Sequence, residues 1–360
     1  MQKQKDLGQE PTSCVSPHDH NPGSGTATSN SSSSTLPGVG GLELPMVDYK
    51  DISQIPNILT KYPAIYLINH GLPPAPFNHA RTLLTLPKDV KDNLRDPSKS
   101  TVRGYNNAKA SGREWWDYNP ADEILGPPNN SEFKEISINF FKKSISLLQT
   151  ICQQFNSHKQ LIPQEAILET GFSTMRYLRY SSEVIDQQPQ DSNPQISTTY
   201  NSILNSHRAN DNGEALPHIE AHTDLDILTL ITATEPSGLY VWNRRGEVFS
   251  APPIDGAVFI MAGDLMPFFT AKPGMSPLEQ HEGVEAIGEE TVLPTAHTVV
   301  VPRSAGERYS IAVFLRPKRD MVIDRRVVRR GGKEVEEEIA FWWLATEKLN
   351  VEGRKCFLAQ

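Results

Sequence analysis

Short strands in quick succession constrain this chain more than any other feature. From residue 173 onward TMRYLRYSS, DILTLIT, GLYVW, AVFIMAG, HTVVV and RYSIAVFL follow one another, separated by Gly, Pro and Asp turns. Each is rich in β-branched and aromatic residues and shorter than an ordinary helix. Such a series closes into an antiparallel sandwich or barrel. Two polar stretches interrupt it, at 181–217 and 271–293. Loops of that length inside a compact domain serve as lids or as disordered inserts.

The chain before this series has another texture. SEFKEISINFFKKSISLLQTICQQF (131–155) sets Phe133, Ile136, Phe140, Phe141, Ile145, Leu148, Ile151 and Cys152 at three- and four-residue spacing. That spacing predicts a long amphipathic helix, and Ser131 and Glu132 suit its N-terminal end. AIYLINHGL (64–72) reads as a strand, and 76–95 alternates in a helical manner. Residues 1–41, with GSGTATSNSSSS at 23–34, are too polar to offset their ordering entropy and are expected to be disordered. The expected organisation is therefore a tail at 1–41, a mainly helical region at 42–170, a β-core at 171–320, and a C-terminal hairpin and helix at 321–360. The hairpin expectation comes from Arg325, Arg326, Arg329 and Arg330 followed at once by Glu334 to Glu338, which pair across two strands. EEIAFWWLATEKLN (337–350) reads as a short helix.

Composition narrows the function. A net charge of -8 argues against a nucleic-acid partner, since phosphate backbones call for a basic face. Cys14, Cys152 and Cys356 are far apart, with no CxxC pair, so neither a zinc ribbon nor a disulfide framework is expected. A reducing, cytoplasmic setting follows. No apolar run reaches the ~18 residues of a membrane span, and the N-terminus has no apolar signal core. The expected partner is a small molecule, and the expected state is a monomer.

The chemistry concentrates in EAHTDLDILTLIT (220–232), a strand that begins with His222, Asp224 and Asp226 at alternate positions. Residues two apart on a strand share a face, so His222 and Asp224 can chelate one metal from the same side. A further histidine completes a 2-His-1-carboxylate set, which leaves open positions on an octahedral Fe(II). His-x-Asp alone is a common chance pairing. His281 and His297 are the downstream candidates, and His297 is favoured because it heads the β-branched TVVVP. His218 and Glu220 share the parity of His222, but four alternate positions span roughly 20 Å, too far for one metal. Asp224 is nearer to His222 than Asp226 is, so Asp226 is expected to point past the metal. In RYSIAVFLRP, Arg308 and Ser310 share one face of an apolar strand. A guanidinium fork beside a hydroxyl suits a carboxylate, and an internal ion pair is the plainer reading of an isolated Arg-x-Ser.

In chain order, LPMVDY (44–49), INHGL (68–72), RGY (103–105), MRYLRYS (175–181), AHTDLDILTLI (221–231), GLYVW (238–242), AGDLM (262–266), PTAHTVVVP (294–302) and RYSIAVFLRP (308–317) are found together. This series resembles the non-haem Fe(II), 2-oxoglutarate-dependent dioxygenases of the isopenicillin N synthase-like superfamily. The resemblance implies a double-stranded β-helix, a jelly roll of cupin-like form, with N-terminal helices packed outside. It implies that His222, Asp224 and His297 bind Fe(II) and that Arg308, Ser310 and Tyr180 hold 2-oxoglutarate. It also implies O2 as cosubstrate, with ascorbate assisting. The activity so implied is hydroxylation, desaturation or rearrangement of a small organic substrate, possible secondary metabolites included, with release of succinate and CO2. Arg176 shares the parity of Tyr180 and is the leading candidate for a substrate carboxylate, with Arg103 and Tyr105 behind it. The chain departs from the family pattern in Thr298 after His297, Leu178 two before Tyr180 and Ser181 after it. Two alternatives stand beside this reading: an oxidase using Fe(II) and O2 without 2-oxoglutarate, and a non-catalytic metal or ligand sensor.

Overall fold

Alternation along two central strands organises the molecule. In Arg308–Leu315, the residues Tyr309, Ile311 and Val313 pack on a long helix, while Ala312 and Phe314 face the opposite way. In Thr174–Tyr180, Met175 and Tyr177 face the helix, and Leu178 and Tyr180 face away from it. The period of two thus builds two apolar layers from one sheet. The computed structural model describes residues 42–95, 103–108, 112–119, 131–157, 161–168, 171–181, 215–271, 290–302, 305–330 and 333–341. All of these fall in the unit Thr35–Gln360.

The described strands are β1 (Met46–Asp48), β2 (Ala64–Ile68), β3 (Gly104–Ala108), β4 (Arg113–Tyr118), β5 (Thr174–Tyr180), β6 (Ala215–His222) and β7 (Leu228–Ala233). They continue as β8 (Leu239–Trp242), β9 (Val248–Ser250), β10 (Ala257–Ala262), β11 (Ala296–Pro302), β12 (Arg308–Leu315), β13 (Val322–Arg330) and β14 (Lys333–Ala340). A major sheet runs β1-β2-β10-β7-β12-β5-β4-β3, and a minor sheet runs β6-β11-β8-β9. The core strands pair antiparallel, whereas β1 and β2 pair parallel. This is the antiparallel sandwich expected from the strand series, in the jelly-roll form that the family resemblance implies.

The helix Ser131–Asn156 covers the outer face of the major sheet. Phe133, Phe140, Leu148 and Ile151 are buried there, on the stripe that the sequence periodicity marks. Trp116 stacks on Tyr177 at 5.6 Å and meets Phe133 edge-on, so this tryptophan belongs to the helix-facing core. Ile227 and Leu228 lie in the same layer, as core residues rather than cavity wall. The second apolar layer, between the two sheets, holds Leu178, Val241, Phe259, Met261 and Val299.

Two expectations need correction. The region 42–170 adds to its helices and its expected strands a further pair, β3 and β4, that the sequence reading did not place. It contributes β1 to β4, which extend the major sheet at both edges. Trp115 and Trp116 face Leu178 and Tyr177 across the ladder, and aromatic residues at alternate depth are better served by a sheet there. The helix expected at 337–350 cannot begin at Glu337, because β14 runs to Ala340. Val335 and Ile339 fall in register with β13 in a strand pattern. Arg325 and Glu338 form an ion pair of 3.0 Å, so the paired-charge hairpin is present. The tail 1–41, most of both long loops, His281 and the chain beyond Phe341 lie outside the described residues. Among the described residues, no helix is long and apolar enough to cross a membrane.

Candidate metal centre

Strand register brings the two histidines together. β11 runs antiparallel to β6 with His297 directly opposite His222. Their rings are 4.2 Å apart between centroids. Asp224 follows His222 by two residues, just after β6 ends, and lies 3.8 Å from Nε2 of each histidine. The ligand-capable atoms of the three residues lie within 4.8 Å of one another. Both histidines are buried. Nδ1 of His297 is 3.0 Å from the Thr295 carbonyl oxygen, which fixes that nitrogen as the protonated one and leaves Nε2 as the donor to a metal. Two imidazoles and one carboxylate suit Fe(II), and the geometry of the donor set fits that metal.

The carboxylate is held from behind. Thr229 Oγ1 contacts Asp224 Oδ2 at 2.8 Å and Asp226 Oδ2 at 2.6 Å. Its single proton serves one carboxylate at a time. Asp226 is fully buried and stands behind the triad, as expected of a residue one pleat further on. The turn after β10 locks this segment with three backbone bonds. Gly263 N donates to Ile227 O, Asp264 N to Asp224 O, and Leu265 N to Asp226 O, at 3.0, 2.8 and 3.0 Å. Only a glycine fits at 263, since a Cβ there would stand 1.9 Å from Asp226 Oδ1 and 2.3 Å from its carbonyl oxygen. We expect Gly263→Ala to lower stability by about 3 kcal/mol, at the upper end of overpacking costs, read by urea denaturation.

One cavity joins the triad to the other candidates. Its wall includes His222, Asp224, His297, Tyr180, Arg308 and Ser310, with Leu178, Ile231, Leu239 and Phe314 as apolar lining. Arg308 enters from the first position of β12, opposite Tyr180 on β5, and its guanidinium lies 5.2 Å from the centre of the Tyr180 ring. Arg308 is 2 % exposed, and among the described residues no carboxylate forms an ion pair with it. Burial pushes its pKa below the ordinary arginine value, with Tyr180 and, more weakly, the Glu235 carboxylate acting in the opposite sense. A buried cation facing a cavity is costly until an anion arrives. That cost distinguishes Arg308 from the internal ion pair considered above.

The three substrate candidates part company here. Arg176 lines the cavity, but Nε and Nη2 grip Asp117 at 2.7 and 2.9 Å. Burial opposes its charge, and Asp117 outweighs burial, so its pKa is raised. Tyr105 is not brought to the cavity. It is buried on the helix-facing side, its hydroxyl donates to Glu114 at 2.5 Å, and Lys91 and Arg95 flank its ring. Arg103 is likewise absent from the cavity wall. Both sit on or beside the edge strand β3, at the far end of the sheet from β7. Arg179 pairs with Glu307 and Glu114, a structural role that its outward parity implies. Thr229 and Gly263 were not singled out by sequence reasoning. The signal for them is a threonine inside an apolar strand and a glycine in the AGDL turn that follows another.

Sheet, triad and buried cation together fit the 2OG-Fe(II) oxygenases. The model of the 2OG-Fe(II) oxygenase superfamily matches residues 178–317. Over that segment the chain is similar to the family, whose name carries its metal, Fe(II), and its cosubstrate, 2-oxoglutarate, and the His222, Asp224 and His297 donor set fits that metal. Among curated proteins, the chain is similar to the 2-oxoglutarate-dependent dioxygenase frbJ of Dothideomycetidae sp. (strain 11243), 29% identical over 126 residues. That match covers 31% of this chain and 29% of the relative, so the chain spans under a third of the curated protein it matches. Among solved structures, a full-length Neurospora crassa protein in complex with alpha-KG superposes with a TM-score of 0.57 at 21% identity, covering 85% of this chain and 96% of that one. The dioxygenase for auxin oxidation of rice gives a TM-score of 0.56 at 18% identity, covering 87% and 97%. At such identities the likeness is one of fold.

Proposed function

We propose that the chain is an Fe(II)- and 2-oxoglutarate-dependent oxygenase of a small organic substrate, with succinate and CO2 as coproducts. His222, Asp224 and His297 hold the metal. Arg308 and Ser310, with Tyr180 beside them, take the far carboxylate of 2-oxoglutarate. The observation that carries this reading is the buried Arg308, which shares one cavity with the triad and forms no direct ion pair among the described residues, Glu235 acting on it only at longer range. Alpha-KG in the Neurospora crassa structure supports it from outside the chain.

When bound at such a site, Fe(II) with 2-oxoglutarate and O2 supplies an oxidant able to take hydrogen from unactivated carbon. The chain's own residues do the rest. Thr295 fixes the tautomer of His297 through its carbonyl oxygen. Leu178, Ile231, Leu239, Val299 and Phe314 keep water from the reacting centre. Arg176, held flat by Asp117, presents its remaining edge to the cavity and orients a polar end of the substrate. The oxidase alternative assigns Arg308 and Ser310 to a substrate carboxylate, and the match of 178–317 to the 2OG-Fe(II) oxygenase model favours 2-oxoglutarate instead. Release of labelled CO2 from carboxyl-labelled 2-oxoglutarate tests the proposal. Wild type is expected to release it with Fe(II) and O2, and His222→Ala is expected not to. Equal release by both proteins rules out the metal assignment.

A further inference from the structure

We infer that Thr229 is a positioning residue for the metal-binding carboxylate, braced in that role by Asp226 and the Gly263 turn. The inference rests on the triad reading above and adds to it a residue that does not itself touch the metal.

Thr229 sits in β7 between Leu228 and Leu230, which face the helix-side core. Alternation turns Thr229 to the other side, the side on which Ile231 lines the cavity. It is fully buried, so its hydroxyl needs a partner at that depth. A buried threonine ordinarily bonds a nearby backbone carbonyl. This one instead meets two carboxylates, at 2.8 and 2.6 Å. The bond to Asp224 engages Oδ2, which sets the rotation of the carboxylate that faces both histidines. Asp224 itself lies outside β6, in the bend before β7, where no ladder holds it. Its position depends on the backbone bond from Asp264 N and on the hydroxyl of Thr229. Asp226 completes the brace. Its Oδ2 is the alternative acceptor for the same hydroxyl proton, which keeps Thr229 turned toward the carboxylates, and its backbone oxygen accepts from Leu265 N, which fixes the bend that carries Asp224. A glycine at 263 lets the turn come this close. Outer partners of metal ligands act in this way, by removing rotational freedom that the metal would otherwise have to overcome.

The test is a calorimetric titration of the purified full chain with Mn(II), which needs no turnover. Thr229→Val keeps the shape and removes the hydroxyl, and Thr229→Ser keeps the hydroxyl. Thr229→Ala is read in the same way should the valine protein not fold. We expect the hydroxyl-free variant to bind Mn(II) roughly 10- to 100-fold more weakly and the serine variant to recover most of that loss. Mn(II) affinity equal to wild type in the hydroxyl-free variant overturns the inference. An equal loss in valine and serine variants also overturns it, because the effect then follows packing. His222→Ala separates the two readings. If that variant binds Mn(II) like wild type, the triad assignment fails, whatever Thr229 does.

Discussion

Asp224→Ala is expected to remove metal binding and, with it, CO2 release, while Asp226→Asn keeps both. The two aspartates are two residues apart, Asp224 partly and Asp226 fully buried, and their surroundings differ. Asp224 lies 3.8 Å from both histidine Nε2 atoms. Asp226 has no place among the clustered ligand atoms and reaches Asp224 through Thr229. Removing Asp224 takes away the only anionic ligand and leaves two neutral imidazoles, which hold a hard divalent ion poorly. The Mn(II) dissociation constant should therefore rise by more than the roughly 10- to 100-fold that follows loss of an outer partner. Asp226→Asn preserves volume beside Gly263 and keeps an oxygen that can accept from Thr229, so its affinity should stay within about tenfold of wild type. The reverse pattern, metal lost in Asp226→Asn and kept in Asp224→Ala, would assign the site to the other carboxylate.

Sequence alone carried the parts of this site that depend on period and register. His222 and Asp224 share a parity, and so do Arg308 and Ser310. The sheets convert those parities into one cavity wall. His297 could be preferred over His281 because a strand, and not a loop, holds a ligand still. What stayed hidden depends on contacts between distant segments. Thr229 reads as one more β-former in an apolar run, and its role appears only when the bend at 224–227 folds back over β7. Gly263 reads as a turn glycine, although its φ is ordinary and the constraint is the approach of Asp226. Tyr105 was misplaced for a related reason. Its hairpin joins the edge of the major sheet, and the parity that puts Trp115 on the inner face puts Tyr105 opposite Trp116 on the outer one. Arg176 has the parity of a pocket residue, and it is one, but no local pattern announces that Asp117, across the ladder, already holds it.

Arg308→Leu is expected to cripple use of 2-oxoglutarate while leaving the fold as stable as before or more so. The wild-type guanidinium is buried, is lowered in pKa by that burial, and has the Tyr180 ring at 5.2 Å, with Glu235 only a weaker, longer-range influence. Its charge is thus a cost in the free protein, and exchange of a buried ion for an apolar side chain is often neutral or stabilising. The same charge is the main attraction for an incoming dicarboxylate. Truncating one partner of a buried charge pair costs roughly 2–5 kcal/mol. At about 1.4 kcal/mol per factor of ten, kcat/KM for 2-oxoglutarate should fall roughly 30- to 4,000-fold. Thermal melts separate the two effects. With metal present and 2-oxoglutarate at about 100 times its dissociation constant, wild type should gain about 2.7 kcal/mol. Arg308→Leu should gain almost nothing at that concentration. Arg308→Lys should fall between, since it keeps the charge and loses the two-point fork. A leucine variant with unchanged dependence on 2-oxoglutarate, and a substrate KM that rises instead, would hand Arg308 and Ser310 to a substrate carboxylate and make the chain an oxidase of the same fold.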